Sequence, residues 1–284
     1  MTSRRLRYTT PARRFGSYAF ALTASSTPYP DHFDILFDGF ETCDADCEGV
    51  RSIEILQDEG GEELVMIDEE VFARDVVLGR SASTLVHTLT RQMIEACDGL
   101  GIHAGGVVRD GIGIALPAHM ESGKSTLTTG LVRAGFDYLS DEAVILDWKS
   151  LMVIPFPKPI SLDPGAWPLF PELEPHAPLP PGYKDTQWQV PPSAIRPDAV
   201  GGPCKIRYFV FPKYAEGAAT RLTPMRRAEA TVELAKNTFR FNERPRRSLD
   251  ALAVAVQGTD CFQLDIGDLD TAVGLVSELV GDGQ

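Results

Sequence analysis

Long apolar runs are missing from this chain of 284 residues. No stretch approaches the roughly 20 apolar residues that cross a bilayer, and the basic N-terminus is not followed by an apolar segment with a cleavage site. Basic residues are also few: the chain has 27 Lys and Arg and 40 Asp and Glu, which gives a net charge of −13. That balance argues against nucleic-acid binding, which needs concentrated basic surface. We therefore expect a cytoplasmic protein that binds neither membranes nor nucleic acid.

Cysteine is scarce as well. The five cysteines are an odd number and are scattered, except for Cys43 and Cys47. This pattern argues against a disulfide framework. Cys43 and Cys47 have the spacing of half a zinc site, but no second Cys/His pair at ligand spacing accompanies them. We expect free thiols in an acidic loop.

The most informative segment is Gly123-Lys124-Ser125-Thr126, which follows an apolar run and begins a helical pattern. Backbone N–H groups at a helix N-terminus form a concavity for anionic oxygens, so a phosphate-binding loop is predicted here. Lys124 would reach the β- and γ-phosphates of ATP, and the Ser125 hydroxyl would bind Mg²⁺. Ala118 stands where the full motif has glycine, which is tolerable if its φ is negative. The predicted nucleotide-binding residues are Ala118, His119, Met120, Glu121, Ser122, Gly123, Lys124, Ser125 and Thr126.

The pattern of apolar residues predicts two domains. Short strands at 18–22, 33–37, 51–56 and 63–67 predict a small, mostly-β N-terminal domain at 1–80. Residues 81–284 predict an α/β (α+β) domain. Its expected elements are a helix at 81–97, a hairpin at 101–108 and 113–116, a helix after Lys124, a strand at 138–146 and, further on, a strand at 206–211, helices at 226–238 and 249–256, a strand at 262–265 and a helix at 269–280.

Prolines concentrate at about 155–192, where regular helix is not expected. This segment also contains tryptophan, phenylalanine and tyrosine. A long ordered loop with aromatic anchors is typical of a lid or substrate-binding element. A loop that merely packs over the core is an equal alternative.

Two acidic residues, Asp141 and Glu142, follow Lys124 by one helix and one turn. Phosphoryl transfer needs a carboxylate near Mg²⁺ and a group that accepts the proton of the attacking alcohol. Ordinary turn residues are the alternative reading. His103 precedes the loop and is flanked by glycines that allow close approach of a ligand or backbone; a structural histidine is again the alternative.

At these residues the chain resembles a known family. Segment 102–108, the phosphate loop and segment 131–144 together resemble the core of bacterial HPr kinase/phosphorylase and the HPr-kinase-like proteins, a fold shared with phosphoenolpyruvate carboxykinase. The resemblance implies a P-loop kinase core of the HPr kinase C-terminal domain type and a possible homo-oligomer. It also implies catalytic roles for His103, Asp141 and Lys124, with Asp141 as general base and with Ser125 and Glu142 at the metal. Weaker candidates for binding substrate or phosphate are Lys158, Ser161, Arg240, Arg244, Arg246 and Arg247.

The resulting hypothesis is an ATP-dependent, Mg²⁺-requiring kinase that phosphorylates an alcohol, either a small metabolite or a serine or threonine of a peptide or protein. The sequence departs from the family at His119, Met120 and Glu121, where the family loop is small and glycine-rich. A negative charge at Glu121 opposes phosphate binding unless a cation offsets it. The alternative is therefore a catalytically inactive protein that senses nucleotide or binds a partner. Transfer of the phosphoenolpyruvate carboxykinase type is disfavoured, because its additional metal ligands cannot be placed.

Overall fold

The computed structural model describes residues 8–25, 29–44, 49–57, 63–74, 78–175 and 187–281. Cys47 of the cysteine pair lies outside the described residues, as do residues 176–186 of the proline-rich segment. The other four cysteines are free thiols.

The strands of the described residues are between two and ten residues long. In chain order they are β1 (Tyr8–Thr9), β2 (Ala12–Phe15), β3 (Tyr18–Ala24), β4 (Glu41–Cys43), β5 (Val50–Gln57), β6 (Glu63–Ile67), β7 (Glu70–Arg74), β8 (Leu100–Arg109), β9 (Ile112–Pro117), β10 (Asp137–Ser140), β11 (Ala143–Leu146), β12 (Val153–Ile154), β13 (Ile160–Leu162), β14 (Trp188–Val190), β15 (Lys205–Tyr214), β16 (Arg221–Pro224) and β17 (Asp260–Ile266).

The α-helices of the described residues are α1 (Tyr29–Leu36), α2 (Leu78–Ala96), α3 (Lys124–Arg133), α4 (Pro192–Ile195), α5 (Arg227–Lys236), α6 (Pro245–Gln257) and α7 (Leu269–Gly281). Within this part of the chain, no helix combines the length and apolar character needed to span a membrane. The fold is of the mixed α/β class, with parallel and antiparallel pairs in both large sheets.

The chain divides into two compact units. The first contains residues up to 97 together with 161–191, and the second contains 98–160 and the residues from 192 onward. Residues 161–191 therefore belong to the first unit, whereas they are predicted from the sequence to be part of the second domain. The domain limits at 80 and 81 stay a prediction.

The first unit is built on a seven-stranded sheet in the order β4-β2-β3-β5-β6-β7, with β1 paired to β3. Its core is rich in aromatic side chains. Phe37 lies at the centre, with its ring 5.0 Å from that of Phe20, 5.6 Å from that of Phe33 and 5.7 Å from that of Phe40. Such aromatic pairs contribute roughly 0.5–1.5 kcal/mol each beyond the area they bury.

The predicted strand at 33–37 is wrong, because these residues belong largely to helix α1. Tyr29, His32, Phe33 and Leu36 are buried, and their spacing is that of one helix face. The alternation of Phe33, Ile35 and Phe37 also fits a strand. The Phe33 ring stacks on the Phe37 ring and α1 packs against β3, and these contacts favour the helix over a strand.

The second unit is built on an eight-stranded sheet in the order β12-β11-β8-β9-β15-β17-β16, with β10 also paired to β8. Strands β9, β15 and β17 are parallel, and the other pairs are antiparallel. Helix α3 packs against β8 and α7. The core cluster brings Ala230 and Leu234 of α5 and Leu252 and Val256 of α6 together with residues of β8, β9 and β15.

The predicted strand at 138–146 is two strands rather than one. Strands β10 and β11 both pair with β8, at residues 106–108 and 100–103 respectively. Asp141 and Glu142 lie in the bend between them, so the alternation of faces within a strand does not apply to this acidic pair. The remaining predicted elements of the second domain are present, with ends that differ by a few residues, as β8, β9, α3, β15, α5, α6, β17 and α7.

His32 is the basis of a stability prediction for the first unit. Burial lowers its pKa from 6.5 to about 4. Its stabilising contribution is therefore complete above pH 6.5 and is lost as the pH falls towards 4. Between pH 7 and pH 5 we expect wild type to lose about 2 kcal/mol more unfolding free energy than His32→Leu. Chemical denaturation followed by circular dichroism at both pH values measures this difference. His87→Gln, at an exposed position of α2, is the control and should behave as wild type; equal pH dependence in all three proteins would contradict the prediction.

Candidate active site

The predicted phosphate loop connects β9 to α3. Gly123, directly before α3, has φ 82°, a left-handed conformation that favours glycine. Ala118 is buried and is not among the residues with positive φ, so the structure accommodates its methyl group. The loop is anchored by a hydrogen bond of 3.0 Å from the Tyr214 N–H to the Ser122 carbonyl. Its backbone therefore fits the role predicted from the motif.

Glu121 is the exception within this loop. Its φ is 64°, in the region that costs a residue with a Cβ roughly 1–2 kcal/mol. Its side chain is exposed, as is that of Met120, of which 85% is accessible. The loop thus carries a strained backbone and a negative charge at one position.

Lys124 is buried at the first position of α3, and its Nζ lies 2.7 Å from Nε2 of His103. An ammonium group only donates, so Nε2 of His103 accepts and carries no proton. Burial and the Lys124 ammonium lower the pKa of His103 to about 4, although Glu142 opposes this shift. Burial also lowers the pKa of Lys124, against the opposing effect of the two nearby carboxylates. His103 is neutral at pH 7, so the positive charge facing the acidic pair comes from lysine.

Asp141 is almost wholly buried and contacts two groups through one oxygen. The Ser125 hydroxyl donates to Asp141 Oδ2 over 3.2 Å, and Lys158 Nζ lies 3.5 Å from the same atom. The side chains of Lys158 and Asp141 are 3% and 2% exposed. Lys158 Nζ also donates to the Pro159 carbonyl over 2.7 Å. Such additional hydrogen bonds are what allow a buried ion pair to be tolerated.

Glu142 lies beside His103. Its Oε1 lies 3.5 Å from His103 Nε2, and its side chain is 32% exposed. The position of the bend is set by Ser140, whose Oγ accepts the N–H groups of Glu142 and Ala143 over 3.2 and 3.0 Å. The Glu142 carbonyl accepts from the Ala104 N–H over 3.2 Å. These bonds hold the acidic pair beside His103 on β8.

Four contributors were not predicted from the sequence. The Tyr138 hydroxyl donates to the Lys158 carbonyl over 2.8 Å, and burial raises the pKa of this tyrosine well above its usual value. Thr128 is fully buried one turn after Lys124. The Phe239 ring lies 5.9 Å from the His103 ring, and the Asn237 carbonyl accepts the His103 N–H over 2.7 Å. A tyrosine three residues before Asp141 is the one local signal that could have been used.

The structure brings six of the predicted residues together: His103, Lys124, Ser125, Asp141, Glu142 and Lys158. The described contacts of the predicted arginines are with other groups. Arg240 pairs with Glu243, Arg244 pairs with Asp98, and Arg247 lies over the Trp148 ring, while Arg246 is exposed in α6. Ser161 belongs to the first unit, where its hydroxyl donates to Gln189.

The donors near Ser125 suit magnesium. Mg²⁺ prefers oxygen ligands and is usually bound through one or two carboxylates together with substrate phosphates and water. Ser125 and Asp141 provide a hydroxyl and a carboxylate within 3.2 Å of each other. In the described ranges, no group of three His, Cys, Asp or Glu side chains is placed to hold a metal by itself. The site therefore fits a cation that is shared with a phosphate ligand.

No protein-family model matches the chain, and no curated protein matches it. Among solved structures, the HPr(Ser) kinase/phosphatase from Coxiella burnetii is similar at 13% sequence identity with a TM-score of 0.33. The match covers 64% of this chain and 94% of that chain. The chemistry considered below therefore depends on the contacts of the cluster itself.

Gly105 on β8 packs closely against α3. A Cβ at Gly105 would lie 2.4 Å from Thr128 Oγ1 and 3.3 Å from Lys124 Cγ. We expect Gly105→Ala to lower the unfolding free energy by about 1–3 kcal/mol, because added atoms in a packed interior displace their neighbours. Urea denaturation measures this loss. Gly202→Ala, where a Cβ would meet nothing within 4 Å, is the matched control, and equal stability of the two variants would refute the close contact.

Proposed function

We propose that this protein is an ATP-dependent phosphotransferase that transfers the γ-phosphoryl group to an alcohol hydroxyl. The acceptor is a small metabolite or a serine or threonine of a peptide or protein. The observation that carries the proposal is that the hydroxyl of Ser125, which follows Lys124 at the start of a helix, donates to Asp141 Oδ2 over 3.2 Å. Cation, hydroxyl and carboxylate at a helix N-terminus are the groups that phosphoryl transfer from a nucleoside triphosphate requires.

Each residue of the cluster has a chemical role in this proposal. Lys124, which donates to His103 in the structure, donates instead to the β- and γ-phosphates when nucleotide is bound. Ser125 and one carboxylate of the acidic pair would hold Mg²⁺, which would stabilise the negative charge that develops on the phosphate oxygens. One carboxylate supports the metal and the other accepts the proton of the alcohol. The neutral imidazole of His103 orients Lys124, whose ammonium donates to its unprotonated Nε2.

The direct test is the substitution Lys124→Ala. We expect wild type to bind ATP with Mg²⁺ and to transfer labelled phosphate to a hydroxyl acceptor. Lys124→Ala should lower the rate by at least about 10²-fold, because it removes a cation aimed at the transferring phosphate. Calorimetric titration measures binding, and a panel of small alcohols and serine-containing peptides measures transfer.

Lys149→Ala is the matched control, since Lys149 is an exposed lysine of the same unit. It should behave as wild type in both assays. Equal binding and equal transfer by wild type and Lys124→Ala would refute the proposal.

A second candidate function is nucleotide sensing without catalysis, and Glu121 is the observation that favours it. Its negative charge lies in the phosphate loop at a position with φ 64°. Tight ATP binding by wild type without transfer to any acceptor would support this second function over the first.

Glu121 also yields a prediction in which charge and strain are separated. Glu121→Gln and Glu121→Gly both remove the charge, and each should raise ATP affinity by about two- to fivefold. Only Glu121→Gly removes the Cβ, so only this variant should gain unfolding free energy, by roughly 1 kcal/mol. Calorimetric titration and urea denaturation measure the two effects. A fall in ATP affinity in both variants would show that the Glu121 carboxylate assists nucleotide binding.

A further inference from the structure

We propose that Lys158 determines which carboxylate of the acidic pair has which role. Asp141 is the carboxylate that binds the metal together with Ser125. Glu142 is the carboxylate that accepts the proton of the acceptor alcohol. This inference rests on the proposed phosphotransferase function. It reverses the assignment expected from the sequence, in which Asp141 is the general base and Glu142 lies at the metal.

The surroundings of Asp141 suit a metal and not an acceptor. A general base must come within about 2.6–3.2 Å of the hydroxyl whose proton it takes, and the acceptor arrives from solvent. The Asp141 side chain is 2% exposed, and its Oδ2 already contacts Ser125 and Lys158. In P-loop enzymes, the serine or threonine after the loop lysine and an aspartate hold Mg²⁺ together. Asp141 has this relation to Ser125.

Lys158 is the positioning residue in this arrangement. Its ammonium lies 3.5 Å from Asp141 Oδ2 and donates to the Pro159 carbonyl over 2.7 Å, and its backbone carbonyl accepts from the Tyr138 hydroxyl over 2.8 Å. A buried cation at a fixed place keeps the neighbouring carboxylate in one orientation. The Asp141 carboxylate is thereby kept beside Ser125 in the protein interior.

Glu142 has the exposure that Asp141 lacks. Its side chain is 32% accessible, while its backbone is fixed by bonds to Ser140 and Ala104. In the transfer step, the acceptor O–H bond breaks and its proton passes to the Glu142 carboxylate. The acceptor oxygen forms a bond to the γ-phosphorus, and the bond from that phosphorus to the β–γ bridging oxygen breaks. The electron pair of that bond leaves with ADP.

The test measures how much Mg²⁺ strengthens ATP binding, separately from turnover. Calorimetric titrations of ATP with and without Mg²⁺ are carried out on wild type, Asp141→Asn, Ser125→Ala, Lys158→Met and Glu142→Gln. We expect Asp141→Asn and Ser125→Ala to lose the Mg²⁺ enhancement to within about twofold of none, since they remove its proposed ligands. Lys158→Met should lose most of the enhancement, because the Asp141 carboxylate is then no longer held beside Ser125. Glu142→Gln should keep the enhancement and lose about 10²–10⁴-fold in transfer rate.

Ser125→Ala keeps the test valid if Asp141→Asn does not fold. The matched controls are Glu216→Gln and Lys149→Met, at exposed positions of the same unit, which should match wild type in both assays. Loss of the Mg²⁺ enhancement in Glu142→Gln, with retention in Ser125→Ala or Asp141→Asn, would overturn the inference while leaving the phosphotransferase function standing. Unchanged enhancement in Lys158→Met would overturn the role of Lys158. Absence of ATP binding by wild type would overturn this inference together with the proposed function.

Discussion

Burial of charge is the constraint on which the second unit depends. The side chains of Lys124, Lys158 and Asp141 are each less than a tenth exposed. An isolated buried charge costs several kcal/mol, so such groups persist only when they are paired and hydrogen-bonded. Two ammonium groups face two carboxylates here, and the neutral His103 adds an acceptor without adding charge. Loss of one member leaves a partner buried and uncompensated, so the cluster couples α3, the acidic bend and the segment around Lys158 into one arrangement.

The centre of β8 carries the geometry of this arrangement. His103 accepts from Lys124 through its ring, the next residue donates its N–H to the Glu142 carbonyl, and Gly105 allows Thr128 of α3 to approach. Strands β10 and β11 both pair with β8 and are separated by the bend that contains Asp141 and Glu142. His103, Ala104 and Gly105 are successive residues of β8. Together they fix the positions of Lys124, the acidic pair and helix α3 relative to each other. A shift of β8 by one residue would disturb all three, because neighbouring residues of a strand face opposite sides.

Features that depend on local sequence could be predicted. Contacts between residues far apart in the sequence could not. The loop from Ala118 to Lys124 and the hairpin before it could be predicted, since turn residues and apolar periodicity specify them. The acidic pair was predicted within one continuous strand, whereas it lies in the bend between β10 and β11. The segment 33–37 could not be predicted, because its alternation fits both a strand and a helix and the decision comes from aromatic stacking. Lys158 was a weak candidate for the same reason: nothing near it in the sequence shows that it meets Asp141. The arginines of 240–247 were candidates because a sequence does not show which cations already have partners.

The phosphate loop combines two features that determine which ligands it favours. Lys124 already donates to a neutral imidazole, and a phosphate anion is a stronger acceptor because the hydrogen bond is then charge-assisted on both sides. Glu121 acts in the opposite direction, since its charge repels the same anion. A polyphosphate that arrives with a divalent cation brings less net negative charge to Glu121 while still offering oxygens to Lys124. On the proposed function, this charge pattern would favour metal-bound nucleotide over free nucleotide, and the hydroxyl of Ser125 and the carboxylate of Asp141 would strengthen the same preference.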